Sequence, residues 1–174
     1  MDTMKLFALA AIFALSASAQ TANPMSTELK GLYTGIKNNI VKAAEKVPEE
    51  SYSFKPSPDV RSFGQLVGHV ADAQYLFCTA GKPEAQQKKA PGAEKKLTTK
   101  AELMAALKDG FAYCDAAYDK LTDANAASMQ KMFGRDRSMM GILSMNASHN
   151  NEHYGNMVTY MRIKGIVPPS SEGR

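Results

Sequence analysis

Three histidines are the residues whose type and spacing best suit chemistry, and the chain has only these three, His69, His149 and His153. His149 and His153 are four residues apart, so on a helix both imidazoles lie on the same face, one turn apart. Two nitrogens placed in this way can bind one divalent cation, at about 2.0–2.1 Å each for zinc. If His69 lies beside them, three neutral imidazoles hold a metal and leave coordination positions for water or a substrate. The spacing therefore indicates an open three-histidine metal site.

The same residues have simpler interpretations, which the spacing leaves open. A pair of histidines four residues apart is often only a surface or core pair. His69 lies among the apolar residues Val67, Val70 and Ala73, where a single histidine is often a packed core residue. Methionines are frequent in the last third of the chain. Their soft thioethers suit copper, and they suit a hydrophobic core equally well.

Polar residues close to the histidines in sequence are candidates for a base or for a partner of a ring nitrogen. Asp72 follows His69 by three residues and could orient a ring N–H, or it is a solvated carboxylate. The other candidates are Asn146, Asn150, Glu152 and Tyr154.

Four amphipathic segments, with apolar residues at steps of three and four, must position these side chains. They run over residues 25–47, from Ser62 to Gly81, from Thr99 to Leu121, and from Ser138 to Gly165. The second and third begin with the capping boxes Ser62–Gln65 and Thr99–Glu102. No strand pattern stands out, although Gly134-Arg135-Asp136 could turn a small hairpin. The sequence therefore predicts an all-α four-helix bundle.

The lysine-rich segment 81–98 is longer than a tight turn between antiparallel neighbours requires. A connector of this length can return the chain to the other end of a bundle, which makes the second and third helices parallel. Cys78 and Cys114 lie 16 and 15 residues beyond their helix caps, so parallel helices place them at nearly equal height. An antiparallel pair would separate them by about 20 Å. The crossover arrangement therefore permits a disulfide, and two buried thiols are the alternative.

Residues 1–19 have the layout of a Sec signal peptide, with Lys5 before an apolar run and a small-x-small pattern that ends at Ala19. Cleavage after Ala19 would leave a single domain, residues 20–174, in the periplasm or outside the cell, with no stable membrane span. An uncleaved anchor is the alternative. The net charge of +4 is too small to indicate nucleic-acid binding, and export argues against it. Export also places both cysteines in an oxidising compartment.

Two segments resemble a known family. The run from His149 to Pro169 is similar to the last helix of the DinB-like (YfiT-type) family, and the run from Phe54 to His69 is similar to its second helix and the preceding loop. The resemblance covers about residues 25–169. It implies a four-helix bundle of up-down-down-up topology. It also implies a divalent metal held by one histidine of helix two and two of helix four.

Those family positions correspond to His69, His149 and His153, and all three are present. The chain departs from the family pattern at Glu152, where a further histidine is frequent, and at Asn156, where glutamine is common. Neighbouring residues on a helix point about 100° apart, so we expect Glu152 not to join the ligands. Some members of the family transfer low-molecular-weight thiols or open thiol adducts.

The resemblance and the residues together predict an exported, divalent-metal-binding protein, with zinc or nickel as the metal. A metal-dependent hydrolase or thiol-group transferase acting on a small molecule is the activity we expect. Such a metal acts as a Lewis acid or lowers the pKa of a bound water or thiol. A metal- or small-ligand-binding bundle without turnover is one alternative, and a structural bundle with packed, metal-free histidines is another. The sequence leaves a homodimer open.

Overall fold

The computed structural model describes residues 22–173; the proposed signal peptide lies outside the described residues. Five helices and one two-stranded sheet make up the described fold. The helices are α1 (Pro24–Lys46), α2 (Phe63–Cys78), α3 (Ala93–Lys96), α4 (Lys100–Lys120) and α5 (Met139–Ile163). The strands are β1 (Met129–Met132) and β2 (Arg135–Ser138). Single 3₁₀ turns lie at Glu49–Ser51, Glu84–Gln86 and Pro169–Ser171.

The four long helices are the four predicted from the sequence, and their first turns are fixed by the predicted caps. The side chain of Ser62 accepts a hydrogen bond from the Gln65 N–H, and the Gln65 side chain bonds back to the Ser62 N–H. Thr99 and Glu102 form the same reciprocal pair at the start of α4. Each box satisfies two backbone donors that a helix start otherwise leaves free.

The long helices form a bundle in which α2 packs against α4 and α5, and α1 packs against the same two helices. Ion pairs show that α1 and α4 are antiparallel, since Lys30 meets Asp119 and Glu45 meets Lys108. The polar pairs between α2 and α5 also run in opposite chain directions. The predicted all-α, up-down-down-up fold is therefore confirmed.

Cys78 of α2 and Cys114 of α4 form a disulfide, with their Cα atoms 5.0 Å apart. Both cysteines are fully buried. The backbone of Gly110 lies close to the Ala71 carbonyl, and both residues come before the cysteine of their own helix, so the two contact levels show that α2 and α4 are parallel. The disulfide therefore agrees with the crossover that the long connector predicts.

The bundle core consists mainly of aliphatic and aromatic side chains from all four long helices. At its centre the rings of Tyr33 and Tyr118 are stacked, with centroids 3.7 Å apart. Burial raises the pKa of both tyrosines far above the usual range, and nearby Asp115 adds to this effect at Tyr33. Both phenols therefore stay neutral and serve as hydrogen-bond donors.

The irregular segment before α5 contains the small hairpin that the sequence indicated only weakly. Strands β1 and β2 are antiparallel, with Met129 opposite Ser138 and Met132 opposite Arg135. The turn residues are Phe133 and Gly134, one position earlier than the Gly134-Arg135-Asp136 turn we expected. Both have positive φ, at 51° and 72°, as a two-residue hairpin turn that matches the strand twist requires.

Among the helices within residues 22–173, none combines the length and the apolar character needed to cross a membrane.

Candidate metal centre

The three histidines meet in the groove between α2 and α5. The Nε2 atom of His149 lies 3.1 Å from Nε2 of His69 and 3.2 Å from Nε2 of His153. One ligand atom from each ring lies within 4.8 Å of the others. The four-residue spacing on α5 and the antiparallel packing of α2 thus bring the sequence-predicted residues together.

These distances fit a common bound ion. Nitrogens at roughly 2.0–2.1 Å from one metal lie about 3.3 Å apart at tetrahedral angles and about 2.9 Å apart at right angles. The observed separations of 3.1 and 3.2 Å fall between these values. Three imidazoles are a donor set that zinc, nickel, iron and copper all accept.

Burial keeps the histidines of α5 in the neutral form that binds metals. Burial, followed by the neighbouring His153 and His69, lowers the pKa of His149 to about 4. Burial and His69 also lower the pKa of His153, and Glu152 opposes this change. Protons therefore compete weakly for these two ring nitrogens at neutral pH.

Glu94 of the crossover fixes the orientation of the His69 ring. Its Oε2 atom lies 2.7 Å from Nδ1 of His69, and its Oε1 accepts a hydrogen bond from Nε of Arg61 at 2.8 Å. Burial opposes the charge on Glu94, but the bonds from Arg61 and His69 outweigh it and lower its pKa. The ionised carboxylate accepts a hydrogen bond from the Nδ1–H group, so the Nε2 lone pair of His69 faces the other two rings.

Asp72 holds the crossover and does not bond to His69, which corrects the role we expected for it. Its carboxylate accepts hydrogen bonds from the N–H groups of Gly92 and Ala93 at 2.9 Å and of Glu94 at 3.1 Å. These are the first amides of α3, which otherwise lack partners. Asp72 therefore places Glu94, and Glu94 orients the ring.

The remaining ring nitrogens have different environments. The Asn156 side-chain amide lies 3.3 Å from Nδ1 of His153. An amide carries both a donor and an acceptor, so Asn156 can serve either tautomer of this ring. Nδ1 of His149 is buried and has no hydrogen-bond partner within residues 22–173. Its ring packs against Phe77, with centroids 5.4 Å apart.

A model of the DinB superfamily matches residues 33–157 of this chain. The chain belongs to the DinB superfamily. The matched segment includes all three histidines and both sides of the groove that holds them.

Relatives of this DinB protein share the fold at low sequence identity. The protein YjoA of Bacillus subtilis, described as uncharacterized, is 24% identical over 143 residues, which are 80% of this chain and 91% of YjoA. A solved DinB-like protein from Bacillus cereus superposes with a TM-score of 0.68 at 20% identity, covering 82% of this chain and 95% of that one. The solved YjoA structure gives a TM-score of 0.62 at 23% identity, covering 79% and 92%.

Several polar residues that we considered near the DinB histidines have other partners. The amides of Asn146 and Asn150 are fully buried and bond to Gln74 of α2, between the helices. Tyr154 donates to the Ser170 hydroxyl at 2.8 Å. These contacts join elements of the fold and place no further ligand at the centre.

Glu152 is exposed and is not a member of the three-histidine group, in agreement with its expected direction on α5.

An open cleft of about 570 Å³ adjoins the centre and is lined by Lys55, Arg61, Glu94 and Asn156 among others. This cleft offers room for a small molecule beside the histidines.

Sequence reasoning identified the histidines and missed Glu94 and Arg61. Glu94 lies in a lysine-rich connector without periodicity, where nothing local assigns it a partner. One feature of the sequence could have drawn attention to Glu94 as a partner for a histidine. Residues 81–98 contain five lysines and just two acidic residues, Glu84 and Glu94.

Proposed function

We propose that this DinB protein is an exported, divalent-metal-binding protein that acts as a metal-dependent hydrolase or thiol-group transferase on a small molecule. The observation that carries the proposal is the convergence of three Nε2 atoms, with separations of 3.1 and 3.2 Å from His149. His69, His149 and His153 would hold the ion.

Zinc or nickel is the metal we propose. Three neutral imidazoles suit both ions, and neither ion needs a carboxylate or thiolate in the ligand set. The two cysteines form the disulfide between α2 and α4 and are not available as thiolate ligands.

A bound metal would act as a Lewis acid and lower the pKa of a water or thiol at its open positions. Residues of the protein keep the three rings in the protonation state and orientation that a metal requires. Burial keeps His149 and His153 neutral. Glu94 keeps the Nδ1 proton of His69 away from the metal side of the ring. The adjoining cleft would orient a small substrate, with Lys55 and Arg61 among its charged residues.

A metal- or small-ligand-binding protein without turnover is the second candidate. One observation favours it: the carboxylate nearest the histidines, Glu94, is already bonded to both His69 and Arg61. A carboxylate with these bonds and a lowered pKa is a poor general base.

Metal analysis tests the site. The purified wild-type protein should carry or take up about one equivalent of zinc or nickel, and His69→Ala, His149→Ala and His153→Ala should each lose most of it. Asn151→Ala is the matched control, because Asn151 is exposed on the same helix. Equal metal content in all four variants and the wild type would overturn the proposed site.

Turnover assays separate the two candidates. Activated esters and thiol adducts are the probes to use on the metal-loaded protein. Turnover that a chelator abolishes and the metal restores supports an enzyme. Stoichiometric metal binding without turnover of either probe class supports the binding protein.

Export rests on the signal-peptide layout of residues 1–19 and is supported by the Cys78–Cys114 disulfide, which persists in oxidising compartments. Cell fractionation and intact-mass measurement test it. We expect the protein outside the cytoplasm with Gln20 as its first residue. A cytoplasmic protein that retains residues 1–19 would contradict export.

A further inference from the structure

A cavity of about 260 Å³ lies at the end of the bundle where α2 and α4 terminate. Its walls are the residues that follow α2, the last two turns of α4, the segment that leads into β1, and the start of α5. None of the three histidines lines this cavity, and it shares no lining residue with the cleft beside the metal centre. Cys78, the last residue of α2, lies roughly 14 Å along the helix axis from His69. The cavity is therefore separate from the metal centre.

The charged residues that line this cavity are both cations. They are Lys82 and Lys120, and no aspartate or glutamate among residues 22–173 lines it with them. Neither lysine forms an ion pair with a carboxylate of the described chain. The cavity thus presents positive charge that no carboxylate of residues 22–173 neutralises.

The position of the Lys82 ammonium is fixed by Tyr113 of α4. Its Nζ atom donates to the Tyr113 carbonyl at 3.1 Å and lies 3.6 Å from the centroid of the Tyr113 ring. Burial lowers the pKa of Lys82; Tyr113 opposes this change, and the charges of Lys120 and Lys88 add to it. The two lysines of the cavity therefore repel each other, and an anion bound between them would relieve this repulsion.

A third cation lies on the face of the hairpin that borders the cavity. Arg137 of β2 is paired with Gln130 of β1, and directly opposed residues of an antiparallel pair lie on the same face of the sheet. Gln130 lines the cavity. The Nε atom of Arg137 is buried and has no hydrogen-bond partner within residues 22–173. A buried charged donor without an acceptor costs free energy, and a bound anion nearby would reduce that cost.

We propose that this cavity is a ligand site that binds a small molecule through a doubly charged oxyanion group, a phosphate or a sulfate. Two lysines match a group with two negative charges, and the Ser128 hydroxyl and the Gln130 amide offer further donors on the same wall. The volume lies below the range of about 300–1,000 Å³ that is usual for ligand pockets, which favours a ligand of few atoms. The proposal goes beyond the metal site and does not depend on it.

Titration calorimetry with phosphate, sulfate and acetate at constant ionic strength tests the site. We expect the wild type to bind phosphate or sulfate about tenfold more tightly than acetate, because acetate carries a single charge. The anion that binds more tightly of the first two identifies the group that the site recognises. Lys120→Gln should weaken this binding by about tenfold, the effect of losing a hydrogen bond to a charged group. A wild type that binds neither phosphate nor sulfate, or binds acetate equally well, overturns the proposal.

The matched control is Lys95→Gln, because Lys95 is exposed and does not line the cavity. This variant loses the same charge and should keep the wild-type affinity for the anion. Lys120 is itself exposed, so its substitution should leave the melting temperature unchanged. An equal loss of affinity in Lys95→Gln and Lys120→Gln would show an effect of net charge alone and would overturn the site.

His149→Ala separates this cavity from the metal centre. A phosphate that binds at a metal would be lost in His149→Ala, whereas a phosphate in the cavity should bind this variant as tightly as the wild type. Loss of phosphate binding in His149→Ala together with unchanged binding in Lys120→Gln would place the anion at the metal centre and overturn the proposal. Unchanged binding in His149→Ala supports it, whether or not the histidines hold a metal.

Discussion

A proton on Nδ1 of His69 leaves the Nε2 lone pair free to bind a metal, and the Glu94 carboxylate, with Oε2 2.7 Å from Nδ1, accepts the hydrogen bond from that N–H group. We therefore expect Glu94→Gln to weaken zinc binding by about 10–100-fold, the usual effect of removing a hydrogen-bond partner of a ligating histidine. The neutral amide still fits the space, but it no longer stabilises a positively polarised ring. Competition titration with a zinc chelator measures the change.

Glu84→Gln is the matched control for this prediction, because Glu84 is exposed in the same connector. It removes the same charge at a position away from the histidines. An equal loss of zinc affinity in both variants would point to net charge and contradict a specific role for Glu94.

At the scale of single residues, the sequence predicted the group of three histidines and not the hydrogen-bond partners of their rings. His149 and His153 were recognisable because helix geometry alone places residues four apart on one face. Glu94 is 25 residues from His69, and only the folded crossover brings the two together. Asp72 has the spacing expected of a ring partner, yet three backbone amides of the crossover compete for its carboxylate and bind it.

At the scale of elements, the close approach of α2 to the crossover depends on Gly68. A Cβ atom built at this residue would lie 2.7 Å from both Cα and N of Glu94. Backbone atoms cannot move aside as the end of a side chain can, so Gly68→Ala must displace the crossover. We expect a loss of about 1–3 kcal/mol in the free energy of unfolding. Zinc affinity should fall as well, because Glu94 moves with the crossover. Urea unfolding and the chelator titration measure the two effects.

Gly35→Ala in α1 is the control, since a Cβ atom there meets nothing within 4 Å. Alanine in place of an unconstrained helical glycine should raise the free energy of unfolding by about 0.5–1 kcal/mol. The two alanine substitutions thus have opposite expected signs. A Gly68→Ala protein as stable as the wild type would show that the crossover moves aside freely.

The start of α1 is held by Asp123, which follows α4. The Asp123 carboxylate accepts hydrogen bonds from the Ser26 N–H at 2.8 Å and from the Met25 N–H at 3.2 Å. Burial opposes the charge, but the bonds from Ser26 and Met25 outweigh it and lower the pKa of Asp123. A carboxyl whose pKa is lower in the folded state stabilises the fold above its unfolded pKa. That contribution disappears as the pH falls through the folded value.

We therefore expect Asp123→Asn to be less stable than the wild type at pH 7. The difference should shrink as the pH falls below about 4, the ordinary range of an aspartate. Urea unfolding at a series of pH values measures it, and the comparison cancels carboxylates that both proteins share. A difference that stays constant from pH 7 to pH 3 would contradict a charge-dependent cap.

The starts of the long helices could be predicted from residues close together in sequence. The structure of the irregular segments between the helices could not be predicted in this way. The capping boxes at Ser62 and Thr99 predicted where α2 and α4 begin, since such a cap depends only on residues three apart. The four-residue helix α3 has no comparable pattern and depends on Asp72 of α2 for its first amides. Its existence is a tertiary effect.

At the scale of the whole molecule, the chain direction of α4 was predictable from the length of the connector before it, and a disulfide between the two cysteines is compatible with that direction. Cys78 and Cys114 lie 16 and 15 residues beyond their helix caps, so a bond between them fits parallel helices and not an antiparallel pair. The packing partners of α1 were not predictable in this way, because its apolar face suits any neighbour. The structure shows that α1 contacts α4 and α5.

The disulfide between Cys78 and Cys114 closes a loop over 36 positions that includes the entire crossover. Such a bond restricts the unfolded chain, and a loop of this size contributes about 3–4 kcal/mol to the free energy of unfolding. We expect the Cys78→Ala, Cys114→Ala double variant to lose roughly this amount in urea unfolding. A reducing agent should destabilise the wild type and leave the double variant unchanged. Because the caps, the core and the histidines do not depend on the bond, the double variant should still fold and take up about one equivalent of zinc. A wild type whose unfolding midpoint does not respond to reduction would show that the bond does not stabilise the bundle.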